Sequence, residues 1–124
     1  MGGGSGKGDR SGSIRENLSP VARAFGGIRN GYFGSPGSTS RVREISSDNP
    51  NQASVQFFKL ASQGAKINPS RDGSVTVARF PDGSAVSLRP TSRFDGSPAI
   101  QIKPTKSSGV VKAQKIHFVE EKVQ

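Results

Sequence analysis

Between positions 47 and 64 the apolar residues recur at helical spacing. At 100° per residue, Ala53, Phe57, Phe58, Leu60 and Ala61 fall within one face of about 160°. Asp48 or Asn49 offers a capping oxygen, and Pro50 suits the first helical position, where no amide hydrogen is needed. Gly64 permits the left-handed exit. Further along, the period drops to two. Runs at 74–80 (SVTVARF), 84–90 (SAVSLRP), 98–103 (PAIQIK) and 110–120 (ending QKIHFVE) read as strands. Pro81-Asp82-Gly83 joins the first two as a hairpin, and the later links TSRFDGS and PTKSSG are also turn chemistry. The order predicts an α+β domain of about 75 residues, one helix packed on a four-stranded antiparallel sheet.

The first 40 residues contrast with this. They hold 11 Gly and 7 Ser, which predicts a flexible linker over 1–18. Positions 20–33 carry scattered Val21, Phe25, Ile28, Tyr32 and Phe33, with Gly26-Gly27 and Asn30-Gly31 interrupting any helix. That stretch docks on the domain or binds a partner, and the sequence leaves both open. Positions 41–45 (RVREI) read as an edge strand. The chain therefore divides into a flexible or docking segment at 1–40 and a folded domain at 41–124.

Strand parity separates two faces. Val86 and Leu88, Ile100 and Ile102, and Ile116 and Phe118 share the side predicted to pack on the helix. The other side gathers Arg89, Gln101, Lys103, Lys115 and His117, the only histidine. Charge reinforces the pattern. Eighteen Lys+Arg against 9 Asp+Glu give a net +9, which points to a polyanionic partner. The absence of Cys excludes disulfides and thiolate chemistry. A single His excludes a multi-histidine metal site, and no cofactor motif such as a P-loop is found. No apolar run approaches the ~20 residues of a membrane span, and the residues after Met1 do not resemble a signal peptide.

RNA cleavage without metal needs a group that moves protons, a cation for the pentavalent phosphorane, and the substrate's own 2′-OH as nucleophile. Histidine, which titrates near ~6.5 in the unperturbed state, supplies the first as His117. Arg89 offers a planar fork to phosphate oxygens, and Lys115 lies two residues from His117 on the same side. Those three are the candidate catalytic residues. Thr91, Ser92, Asp95, Ser97, Gln101 and Lys103 are candidates for substrate binding, with Asp95 also placed to orient His117 or hold its own turn. Each has an ordinary counterpart reading. A strand histidine is commonly a surface residue, and Arg89 and Lys115 serve equally as cross-strand solubilising charges.

From Arg43 onward the chain resembles the C-terminal ribonuclease domains of bacterial polymorphic toxins of the LXG, contact-dependent and RHS types, which are similar to the barnase–EndoU class of folds. The pieces that carry the resemblance are Ile45-Ser46-Ser47 before Asn49-Pro50, Asp82-Gly83-Ser84, Arg89-Pro90-Thr91-Ser92, Asp95-Gly96-Ser97-Pro98 and Gln114-Lys115-Ile116-His117-Phe118-Val119. They span about two thirds of the chain and keep the family's order; no single piece is diagnostic. Relatives often carry Asp where this chain has Gln101. The resemblance implies a secreted or delivered effector acting in the cytoplasm of a target bacterium, a tRNA or rRNA substrate, and a cognate immunity protein. The basic charge predicts that this protein is acidic. The competing expectations are a non-catalytic nucleic-acid-binding module and a DNase toxin. The first predicts aromatics exposed on the cationic face, where parity places none; the second lacks the usual metal ligands.

Overall fold

The computed structural model describes residues 12–91 and 96–121. In chain order the elements are α1 (Leu18–Phe25), β1 (Ile28–Arg29), β2 (Tyr32–Phe33), β3 (Ser35–Pro36), β4 (Val42–Ser47), α2 (Pro50–Ala61), β5 (Lys66–Pro69), β6 (Thr76–Arg79), β7 (Ala85–Arg89), β8 (Ala99–Lys103) and β9 (Gln114–Glu120). Short 3-10 turns at Ile14–Asn17 and Lys106–Ser108 complete them.

The architecture is α+β, and the meander forms from the strands that parity selects. β6, β7, β8 and β9 each run antiparallel to the next, with Val86 opposite Ile102 and Ile100 opposite Ile116. Among the described residues the sheet has seven strands, in the order β3-β4-β9-β8-β7-β6-β5, and it is mixed rather than purely antiparallel. β4 is not the edge expected for RVREI. It lies parallel to β9, with Val42 opposite Lys115 and Ser47 opposite Glu120, and β3 covers its outer side. A parallel pairing between the two ends of a domain leaves no local turn signal, so periodicity alone does not reveal it.

α2 begins where the capping chemistry places it. The Asn49 side chain accepts a hydrogen bond from the Gln52 amide at 3.1 Å, and Pro50 opens the helix. Phe57, Phe58 and Ala61 face the sheet, and the core runs through Ile100, Ile102, Ile116 and Phe118. Phe57 sits at the centre of an aromatic cluster, with ring centroids 5.2 Å from Phe25, 5.1 Å from Phe33 and 5.7 Å from Phe118. Full burial of one such side chain stabilises the fold by about 1.5–3 kcal/mol.

Two of those rings come from the segment read as linker or docking region, and here the linker expectation over 13–18 is corrected. Ile14, Val21 and Phe33 are buried to within 1% of complete. Leu18, Val21, Ala22 and Phe25 occupy one stripe of α1 against the core, and Gly26 (φ 97°) ends the helix. Polar side chains fasten the segment. Asn17 Nδ2 donates to the Ala61 and Gln63 carbonyls at 2.7 and 2.9 Å, at the C-terminal end of α2. Gln114, buried in β9, accepts from the Phe33 amide at 2.9 Å and donates to the Gly31 and Lys112 carbonyls at 2.9 and 2.7 Å. The β1–β2 turn places Asn30 and Gly31 both at positive φ (54° and 88°), the conformation that favours Asn-Gly in two-residue hairpins.

A second fastening gathers around Asp82. Its carboxylate accepts from the Ser84 amide and hydroxyl at 2.8 and 2.6 Å, from Thr105 at 2.9 Å and from Ser107 at 2.6 Å. The Asp82 amide donates to the Gly12 carbonyl, and the Ile14 amide donates to the Ser84 hydroxyl. Partial burial pushes the Asp82 carboxyl up, but the hydroxyl and amide hydrogen bonds from Ser107, Ser84 and Ser13 outweigh it and hold the group below the usual carboxylate range.

Candidate functional site

The side of the sheet away from α2 carries the polar residues that parity assigns to it. Arg89 and Ser87 project from β7, Gln101 and Ala99 from β8, and Lys115 from β9. With Val75 they line a cleft of about 120 Å³. The cleft has room for a phosphate-sized group. Among the described residues no carboxylate lines it. A guanidinium, an ammonium, an amide and a hydroxyl therefore converge on one small space, which is the donor set for an oxyanion. Arg89 is half-buried, with Nη1 at 3.5 Å from the Ser74 hydroxyl. Ser74 belongs to a turn ordered by Asp72. Hydrogen bonds from the Ser74 amide and hydroxyl, then from Ser70, hold the Asp72 carboxyl below the usual range.

His117 lies on the same side of the sheet, directly across from Ala99 in the β8–β9 register. It does not project freely into solvent, as a strand histidine on an outward face would; only 6% of it is exposed. Its Nδ1 shares a hydrogen bond with the Ser97 hydroxyl at 3.0 Å. Ser97 is half-buried and also borders a broader groove with Pro50, Asn51, Phe118 and Glu120. The imidazole is thus held in place from the turn that leads into β8.

The other candidates separate. Gln101 stays with the cleft. Thr91 follows β7 and is exposed outside its lining. Lys103 projects from the same side but pairs with Ala85 at the far end of the sheet, two alternations beyond Ala99. That separation is about 13 Å at strand rise. Ser92 and Asp95 lie outside the described residues. Two residues that sequence reasoning did not select join the site. Ser87 follows from parity once the β7–β8 register is known. Glu44 stands beside His117 in the parallel β4–β9 pairing, a neighbour that only the three-dimensional topology reveals. No group of three or more His, Cys, Asp or Glu among the described residues is arranged to hold a metal ion. Among the same residues, no helix is long and apolar enough to cross a membrane.

No protein-family model, curated protein or solved structure matches the chain. The functional reading therefore rests on the site.

Proposed function

We propose that the chain is a metal-independent endoribonuclease of the barnase–EndoU type, the toxic effector domain of a polymorphic toxin that is delivered into a target bacterium and held in check by an acidic immunity protein. The observation that carries the reading is the Arg89–Gln101–Lys115 cleft, free of carboxylates among the described residues and bordered by Ala99, the cross-strand neighbour of the protein's only imidazole. A phosphate held there by Arg89 and Lys115 has its negative charge matched most strongly when the pentavalent phosphorane forms. The 2′-OH attacks, and His117 moves the proton. The products are a 2′,3′-cyclic phosphate and a free 5′-OH.

Incubation of the purified protein with total RNA in EDTA tests this directly. Cleavage with cyclic phosphate ends, and none on DNA or on RNA methylated at the 2′ oxygen, is the expected result. Cleavage of DNA, or strict dependence on added metal, refutes the mechanism. One observation favours a second reading, a module that binds RNA without cutting it: His117 is nearly buried, whereas a proton-transfer group must reach its substrate. Tight RNA binding with no cleavage under any condition selects that reading.

A further inference from the structure

The most unusual ionic group in the molecule is Arg43. It is buried, yet its hydrogen-bond partners are carbonyl oxygens: Nε donates to Phe33 at 2.8 Å, Nη1 to Ser40 at 3.0 Å and Nη2 to Gly34 at 3.0 Å. Its guanidinium carbon lies 4.8 Å from the centre of the Tyr32 ring, and Lys112 Nζ lies 5.5 Å from the same ring. Carbonyl dipoles and a π face ease the burial of a cation, but they leave its full positive charge in place. Exposed Arg29 belongs to β1, exposed Lys112 bonds the hairpin turn through its amide, and exposed Arg41 stands two residues before Arg43, just ahead of β4. Four cations therefore meet at one end of the molecule.

That end lies on the α2 side of the sheet, where Arg43 pairs with Ile116, whereas Lys115 of the cleft projects from the other side; the two approach each other at the edge where β4 and β9 begin. The Lys112 amide donates to the Gly31 carbonyl at 2.9 Å, and the Lys115 amide donates to the Arg41 carbonyl at 2.8 Å. Backbone hydrogen bonds thus tie the hairpin tip to Lys112 and Arg41 to Lys115 along that edge of the sheet. Lys112 and Lys115 are separated by at most about 10 Å of chain. The packing is close: a Cβ at Gly31 would lie 2.6 Å from Lys112 Cγ and 2.7 Å from the Val110 carbonyl.

We infer that the β1–β2 end, built from Arg29, Arg41 and Lys112 over buried Arg43, is a second phosphate subsite for a single-stranded polynucleotide that crosses the edge of the sheet and places another of its phosphates in the Arg89–Lys115 cleft. The assignment of that cleft to RNA comes from the proposed function. A polynucleotide fits better than an acidic protein because a protein interface requires a desolvated apolar centre. Of the large exposed apolar side chains described, Val110 alone adjoins this end.

The test uses 2′-O-methyl oligonucleotides of two and eight nucleotides, which the proposed chemistry does not cut. Binding is followed by fluorescence anisotropy across a range of salt for the wild type and for Arg29→Ala/Lys112→Ala. The double variant is expected to bind the longer oligonucleotide at least tenfold more weakly. Its plot of log affinity against log salt should be shallower by about 1.4, at ~0.7 for each phosphate that is no longer neutralised. Affinity for the dinucleotide should be unchanged. Lys59→Ala/Lys66→Ala removes the same charge from exposed positions elsewhere and should alter neither quantity. The inference is overturned if the double variant binds the longer oligonucleotide like the wild type, if the control pair weakens it equally, or if only binding of polyglutamate is lost. Binding that responds as expected in a protein that cuts no RNA refutes the nuclease and leaves the subsite standing. Cleavage with unaltered oligonucleotide binding by the variant refutes the subsite alone.

Discussion

The tripeptide Asp-Gly-Ser occurs at 72–74, 82–84 and 95–97, and the serines of the last two copies lead into neighbouring strands from opposite ends of the sheet. Ser84 is completely buried and serves its own turn: it donates to Asp82 at 2.6 Å and accepts from the Ile14 amide at 3.2 Å, fastening the N-terminal segment. Ser97 is half-buried and shares its hydrogen bond with a residue 20 positions away, the imidazole of His117. The local sequence is the same, but the two ends differ in what surrounds the hydroxyl. At one end polar groups satisfy one another and hold the fold. At the other, cationic and amide donors of the sheet point into a cleft that no described carboxylate fills. A turn motif specifies backbone geometry, and the tertiary neighbours decide what its side chains do.

The largest effect that separates the two ends is expected at His117. His117→Ala should lower RNA cleavage by about 10²-fold or more. Because the ring is nearly buried, the truncation also leaves a gap and removes a partner of Ser97, so His117→Gln serves as the second variant. Both should lose cleavage while circular dichroism shows the native fold. Near-wild-type rates in a folded variant remove His117 from the chemistry. Arg89→Ala should slow the single-turnover rate by about tenfold or more, and Arg89→Lys should restore part of it, since the charge returns without the two-pronged geometry. A weakened KM with an unchanged single-turnover rate would make Arg89 a binding residue only.

The Ser84 end should respond in stability instead. Ser84→Ala removes a donor to Asp82 and the acceptor of the Ile14 amide. The expected loss is about 2 kcal/mol, a melting midpoint lower by roughly 10 °C in a domain of this size. Cleavage per folded molecule should be unchanged. The same cluster predicts acid sensitivity. The Asp82 carboxyl is held below its usual range, so its stabilisation is fully present above the unfolded value of ~3.9 and is lost as pH falls through the lower folded value. Melting curves between pH 6 and pH 2 (about the span in which carboxylates protonate) should fall more steeply for wild type than for Asp82→Asn. Parallel curves would show that Asp82 contributes no such linkage.

Much of this contrast is legible in the sequence. The alternation in SAVSLR, AIQIK and QKIHFV places Arg89, Gln101, Lys115 and His117 on one side of the sheet, and the Asn49-Pro50 signal locates the start of α2. Two things are hidden for physical reasons. The Gly- and Ser-rich composition of the N-terminal segment masks the Leu18–Val21–Ala22–Phe25 stripe of α1 and the Asn30-Gly31 hairpin turn, although both are ordinary local signals. The burial of His117 has no local signal at all. It follows from which residues cover that part of the sheet, and period two specifies a side, not a depth.

The smallest effect, and the finest test of the comparison, is expected from Ser97→Ala, the same substitution at the corresponding turn position. The Ser97–His117 hydrogen bond of 3.0 Å reaches Nδ1. A partner on one ring nitrogen fixes the orientation of the imidazole and biases which nitrogen carries the proton. A hydrogen bond of about 1 kcal/mol corresponds to about a fivefold change in rate, which is the expected loss of cleavage. The pH profile should shift with it, and ring-nitrogen NMR should report an altered balance of tautomers. Ser97→Thr keeps the hydroxyl and should recover both signals. The melting midpoint should fall far less than in Ser84→Ala, because Ser97 is only half-buried, whereas Ser84 is fully enclosed and also fastens the N-terminal segment. If Ser97→Ala instead melts as early as Ser84→Ala and leaves the pH profile and nitrogen spectrum untouched, Ser97 is a second structural clasp and the two ends of the sheet do not differ in kind.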